Sequence, residues 1–215
     1  MRPYITEEAD FHLKQHNYSG ADYGIAYIWF YSPVANKLVS WLPESIAPNT
    51  ITLFGFFHSI LPAVILYTAI GASLFGDVPT WFIFFQAWCF FAYRMLDEMD
   101  GKQARRTGNS SPLGLIFDHG CDAMTVGIQT LIFMRILQVG DNLIANYQLI
   151  GSYFAFHLAT LEEYYVGTMI MPRFNQISDG SVVIIGAAIV TGCIGGNTVW
   201  TTEIMSGSWL GIAGV

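Results

Sequence analysis

The chain has 215 residues, 53% of them hydrophobic and only 12% charged. This composition excludes an ordinary soluble domain, in which about a quarter of residues are charged. The formal net charge of −7 selects no partner by itself, because the acids gather in the N-terminal stretch and in one short passage between apolar blocks, and no nucleic-acid partner is expected.

Residues 1–22 are polar, carry no dependable period and contain no apolar run of the kind a secretory leader needs, so the first true span is expected to drive insertion. Residues 23–50 form a second region. Tyr27, Trp29, Phe30, Tyr31 and Trp41 are mixed there with Asn36 and Lys37, and Pro33 interrupts the run. This predicts an interfacial amphipathic helix with its aromatic rings at headgroup depth, or alternatively an ordinary helix packed on the rest of the fold. The breaker cluster from Pro43 to Thr50 follows, with Asn49 or Thr50 expected to cap the first membrane helix.

Residues 51–215 are expected to be a transmembrane domain. Apolar stretches occupy 52–74, 80–96, 113–139, 147–171 and 181–200, and a further one begins near Gly207. The predicted fold class is therefore all-α: a polytopic transmembrane helix bundle of about five complete spans plus an incomplete sixth. The last segment is expected either to be short and peripheral or, the favoured reading, to mark the chain as the front part of a longer protein. Cys89, Cys121 and Cys193 have no metal-binding spacing and are expected to be free thiols. With a cytosolic N-terminus, five crossings put Arg2, Lys14, Lys37, Arg94, Lys102, Arg105, Arg106 and Arg173 on or near the cytosolic side. Arg135 alone lies toward the other face, as the positive-inside rule requires.

Four aspartates, Asp97, Asp100, Asp118 and Asp122, fall within 26 residues, with apolar segments long enough to cross a membrane on both sides. A charged side chain at the bilayer centre costs roughly 2.5–3.5 kcal/mol on insertion scales, so the group needs a compensating partner. Spacings of three and four place each pair on one face of its own helix. The polar turn from Thr107 to Pro112 makes the two helices antiparallel neighbours with their acidic ends together. Two carboxylate pairs form a box of hard oxygen ligands suited to Mg²⁺, Mn²⁺ or Ca²⁺. Gly101, Ala104 and Gly114 leave notches beside the box, and Arg105 offers a planar fork for phosphate oxygens. A phosphate-bearing ligand with a flat base fits that chemistry, and two metals clamping a diphosphate would assist an in-line displacement.

The pattern Asp97-x2-Asp100-Gly101-x2-Ala104-Arg105-x8-Gly114-x3-Asp118-x3-Asp122 resembles the complete signature of the CDP-alcohol phosphotransferase family. The wording from Met99 to Thr107 and from Phe117 to Asp122, together with Ile46-Ala47-Pro48-Asn49 and Glu162-Glu163-Tyr164-Tyr165, is similar to the eukaryotic cholinephosphotransferase and ethanolaminephosphotransferase branch. The resemblance implies that Asp97, Asp100 and Asp118 bind two divalent cations, Mg²⁺ or Mn²⁺. It makes Asp122 a further ligand or the base that activates the acceptor alcohol. Gly101, Ala104, Arg105 and Gly114 would hold the CDP moiety, with Asn49 as an addition. His119 is an alternative base, or simply a packing histidine.

The implied reaction is attack by the hydroxyl of diacylglycerol on the β-phosphate of CDP-ethanolamine or CDP-choline. CMP leaves and a membrane phospholipid forms. A homodimer, or a place in a larger membrane assembly, is implied for quaternary structure. The expected membrane is the endoplasmic reticulum, with Golgi or the mitochondrial inner membrane as alternatives, and the site faces the cytosol or matrix. A rival reading is a non-catalytic family member that serves as a structural, lipid-binding subunit of a membrane complex. Glu162 and Glu163 could meet an aminoalcohol headgroup or be plain interface residues. Lys102 and Arg106 could steer an anionic nucleotide, and His58 and His157 are expected to make interhelical hydrogen bonds.

Overall fold

A computed structural model describes residues 5–15 and 18–201; the stretch near Gly207 and Arg2 lie outside the described residues. Among the described residues, seven α-helices and two short strands follow in order. Helix α1 (Glu7–Gln15) precedes strand β1 (Gly20–Asp22). A π-helical turn, Tyr27–Tyr31, then runs directly into α2 (Ser32–Trp41). Pro33 follows directly on that π-helical turn, inside a helical run that continues from residue 25 to 41, so its missing N–H falls where the hydrogen-bond ladder changes from π to α.

Helix α3 (Pro48–Ile65) begins with Pro48 in its first turn and an extended Ala47 as its N-cap, and no side chain caps it. The expectation that Asn49 or Thr50 would cap this helix is thereby corrected. Proline supplies the pre-set φ, and the exposed Asn49 is left to turn its side chain toward Gly114. A π-helical turn, Leu66–Ile70, ends the segment at Gly71.

Helix α4 (Thr80–Thr107) and α5 (Pro112–Ile136) carry the aspartates. Gly108, at φ +68°, closes α4 in the left-handed region that suits glycine. Ser111 opens α5, its Oγ accepting from the Gly114 N–H at 3.1 Å. The two helices run antiparallel, as the short turn requires. Tyr93 meets Asp122 and Gln86 meets Gln129, seven residues back along one helix and seven forward along the other. Helix α3 packs against both and forms the third wall.

Helix α6 (Leu143–Val166) is capped by Asn142, whose Oδ1 accepts from Ala145 N–H at 3.0 Å, and it stops at Gly167. The expected span 147–171 is thus too long: Met169–Met171 is strand β2, which pairs in parallel with β1, Gly20 opposite Met169 and Asp22 opposite Met171. Helix α7 (Ser178–Cys193) is shorter than the predicted 181–200, because Gly195 and Gly196 take positive φ and a 3₁₀ turn, Asn197–Thr201, follows. Its 16 residues rise only ~24 Å, short of the ~30 Å hydrocarbon core. Among the described residues, Pro48–Ile70 is the one segment both long and apolar enough to cross a membrane unaided.

The bundle is closed at two places. Between α2, α3 and α4, Tyr31, Ala35, Val39, Ile51, Met95 and Met99 form a core near the acidic ends. Toward the other pole Phe82, Ile83, Ile132, Ile136 and Ala188 form a second. That pole is knitted by Arg135, whose guanidinium donates to the carbonyls of Ser73 (2.8 Å), Phe75 and Asp77 (3.1 Å). The outer faces are strongly apolar: Leu53, Phe54, Phe57, Trp88, Leu131, Phe154, Val183 and Val190 all stand exposed. A helical bundle that turns leucine, phenylalanine and valine outward in this number is surfaced for lipid.

Candidate active site

The ten residues expected to serve as metal ligands, base or nucleotide contacts line one pocket of ≈ 660 Å³, whereas Glu162, Glu163, Lys102 and Arg106 are not among its lining residues. The acidic end of α4 supplies Asp97, Asp100, Gly101, Ala104 and Arg105; the first turns of α5 supply Gly114, Asp118, His119 and Asp122; the start of α3 supplies Asn49. Antiparallel packing brings the helix ends together, and the clasp of β1 and β2 walls the opening through Tyr18 to Asp22, Met169 and Met171.

The aspartates do not behave alike. One oxygen from each of Asp97, Asp118 and Asp122 lies within 4.8 Å of the others. Asp100 is not one of these three but lies against Asp118; it is buried and accepts from the Thr52 hydroxyl. Asp97 is paired with Arg94, whose Nη2 also donates to Glu98 at 2.9 Å. The same guanidinium lies 5.7 Å from the centre of the Tyr31 ring. Asp122 accepts from the Tyr93 hydroxyl. Among the described residues, no ion pair reaches Asp100, Asp118 or Asp122, so one arginine faces an excess of carboxylates.

This donor set fits a hard divalent cation. Oxygen ligands at ~2.0–2.6 Å from an ion stand at most ~4–5 Å from each other, and the three convergent oxygens meet that limit. Asp118 Oδ1 is buried without a hydrogen-bond partner among the described residues, a state that a bound cation would relieve.

Beside the carboxylates the wall is stripped of side chains. A Cβ placed on Gly114 would lie 3.4 Å from Asn49 Oδ1 and 3.3 Å from Ser111 Oγ, so glycine keeps that gap open. A Cβ on Gly101 would meet only the Arg105 guanidinium, at 3.5 Å, so the space above it belongs to the pocket. At the opening, burial and then the negative charges of Glu163 and Asp118 push the Tyr18 phenol up to about 12.

Sequence reasoning missed several members of this site. Thr52 lies one turn beyond Pro48, and Tyr93 one turn before Asp97, but nothing in either segment distinguishes a hydroxyl aimed at a carboxylate from one that packs. Arg94 and Glu98 carried a readable signal: an Arg at i with acids at i+3 and i+4 on the same helix face. The pocket wall built by Gly20–Asp22 and Met169–Met171 had none.

A sequence model of the CDP-alcohol phosphatidyltransferase family matches residues 45–191. The chain belongs to that family. It is 36% identical over 198 residues to an uncharacterized CDP-alcohol phosphatidyltransferase class-I family protein of Dictyostelium discoideum, covering 92% of this chain and 48% of the relative. It is 34% identical over 183 residues to choline/ethanolaminephosphotransferase 2 of Arabidopsis thaliana, covering 85% and 46%. It is 31% identical over 198 residues to choline/ethanolaminephosphotransferase 1 of Saccharomyces cerevisiae, covering 90% and 49%. The chain spans about half the length of these curated relatives.

Proposed function

We propose that the protein catalyses metal-dependent transfer of phosphoethanolamine or phosphocholine from its CDP derivative to diacylglycerol. The observation that carries this reading is the convergence of Asp97, Asp118 and Asp122 within 4.8 Å beside the notches at Gly101 and Gly114, in a single pocket. A volume of ≈ 660 Å³ is of the size that encloses a nucleotide-sized ligand. Asp97, Asp100, Asp118 and Asp122 would hold one or two divalent cations, Mg²⁺ or Mn²⁺, and bound metal would supply charge neutralisation to the diphosphate.

The remaining work falls to side chains. Gly101, Ala104 and Gly114 leave room for the cytidine, Asn49 offers it an amide, and Arg105 takes phosphate oxygens. Asp122 or His119 removes the proton from the acceptor hydroxyl. The new bond joins that oxygen to the β-phosphorus; the bond from β-phosphorus to the bridging oxygen breaks, and CMP departs with the electron pair. Tyr93, donating to Asp122, fixes the orientation of that carboxylate. The site lies at the same end of the bundle as Lys37, Lys102, Arg105, Arg106 and Arg173, which supports an opening toward the cytosol, or the matrix, and the endoplasmic reticulum is the membrane we favour.

The test is direct. Purified protein receives diacylglycerol, Mg²⁺ or Mn²⁺, and labelled CDP-ethanolamine or CDP-choline, and lipid formation is followed with CMP release. Activity that EDTA and Asp118→Asn each abolish supports the reading, and comparison of the two donors at limiting concentration identifies the headgroup. Activity unchanged in EDTA would remove the metal from the mechanism. Turnover with neither donor, together with stoichiometric co-purification of other subunits, would favour a scaffold.

A further inference from the structure

Where the two strands end, one residue past Asp22 and two past Met171, the chain turns to line a second hollow of ≈ 650 Å³, walled by Tyr23, Ile25, Ile28, Trp29 and Arg173. Four of its five walls are aliphatic or aromatic, and they are unusually bare: Trp29 is 81% exposed and Tyr23 56%. The fifth is a cation. Arg173 makes no hydrogen bond, ion pair or ring contact among the described residues. Arg94, Arg106 and Arg135 are all engaged by carboxylates or carbonyls. The other described arginine without such a partner is Arg105, which lines the active pocket.

The hollow is held in shape from behind. Asp179 Oδ1 accepts from Ala26 N–H at 2.9 Å, and the fully buried Tyr31 hydroxyl bonds Ser181 Oγ at 3.0 Å. Asp22 Oδ1 accepts from Gly24 N–H at 2.7 Å and from Asn175 Nδ2 at 2.8 Å. The π-helical turn that carries Ile28 and Trp29 is therefore pinned to the start of α7, and its apolar side chains are left facing out.

A soluble anion would have no use for the apolar walls, and a bare hydrocarbon none for the guanidinium. An amphiphile with a negatively charged phosphodiester answers both, with the phosphate on Arg173 and an acyl chain along Ile25, Ile28 and Trp29. We propose that this hollow binds an anionic glycerophospholipid of the surrounding leaflet, on the same membrane face as the aspartate site. The inference uses the membrane placement of the family and is independent of which lipid the enzyme makes.

The full chain is reconstituted in phosphatidylcholine nanodiscs containing a minor fraction of photoactivatable phosphatidylglycerol, and cross-linked residues are mapped by mass spectrometry. A phosphatidylcholine probe with the same acyl label is run in parallel. Cross-links are expected at Ile25, Ile28 or Trp29 and to favour phosphatidylglycerol. Arg173→Gln should lower the phosphatidylglycerol yield about fivefold, the factor one arginine near an anionic surface gives, while Arg173→Lys keeps most of it and Lys37→Gln leaves it intact. Equal yields from the two probes, cross-links confined to other faces, or equal losses in Arg173→Gln and Lys37→Gln would overturn the proposal. Arg173 is exposed and unpartnered, so its replacement does not touch the packing of the bundle.

Discussion

Thr52→Val removes a hydroxyl from Asp100 and keeps the shape of the side chain. Thr52 is 7% exposed and Asp100 5%, so water cannot replace the lost donor and salt cannot screen the carboxylate. A hydrogen bond to a charged group contributes about 1.5–3 kcal/mol, and loss of a group that orients a metal ligand costs about 10–100-fold in metal affinity. The two figures agree, and both place the effect on metal binding. Half-saturation by Mn²⁺ should therefore rise about 10–100-fold, while turnover at saturating metal stays near the wild-type value. Electron paramagnetic resonance of free Mn²⁺ reads the binding, and CMP release against Mn²⁺ concentration reads the activity. Thr52→Ser, which keeps the hydroxyl, should behave as wild type. If Thr52→Val binds Mn²⁺ as tightly as wild type, Asp100 does no work at the metal site and the argument from its burial fails.

Tyr93→Phe, which strips Asp122 of its donor, should lower kcat by about tenfold or more, in line with a hydrogen bond to a charged group, with KM for the CDP-alcohol little changed; steady-state kinetics decide it. Gly101→Leu should abolish CDP binding by filling the pocket, whereas Gly101→Ala, whose added carbon meets only Arg105 at 3.5 Å, should retain it; calorimetry with CDP separates them. Tyr18 should titrate near 12, read as the tyrosinate absorbance lost in Tyr18→Phe. Because its folded-state value is raised, the neutral phenol's contribution to stability is whole below the ordinary tyrosine range and disappears as pH climbs through 12. Glu163→Gln removes a negative neighbour and should bring the midpoint down.

Much of the site could be read from residue spacing because its chemistry is local to two helices and the turn between them. Spacings of three and four put each carboxylate pair on one face, and a four-residue link, 108–111, leaves the two faces no choice but to meet. The notches at Gly101 and Gly114 were legible for the same reason. What spacing could not reveal is contact between distant segments. Strands β1 and β2 have three residues each, too few for an alternating pattern, and neither GAD nor MIM advertises a partner. Thr52 reaches Asp100 across 48 positions, and only the packing of α3 on α4 brings them together. Helix ends failed where a backbone device replaced a side-chain one: proline at the start of α3, and consecutive left-handed glycines after α7.

The parallel clasp has a consequence for biosynthesis. Ser19 and Thr168 meet across 149 positions, and Asn175 holds Asp22 across 153. Chains emerge and fold from the N-terminus at a finite pace, so residues 18–22 must wait, undocked, while α2 to α6 are made. The carboxylates can assemble as soon as α5 has followed α4, but the vessel around them stays open on one side until residue 179 has left the ribosome. A nascent protein arrested between those two points would hold its acidic centre but lack the wall that Met169, Met171 and Ile177 add to it.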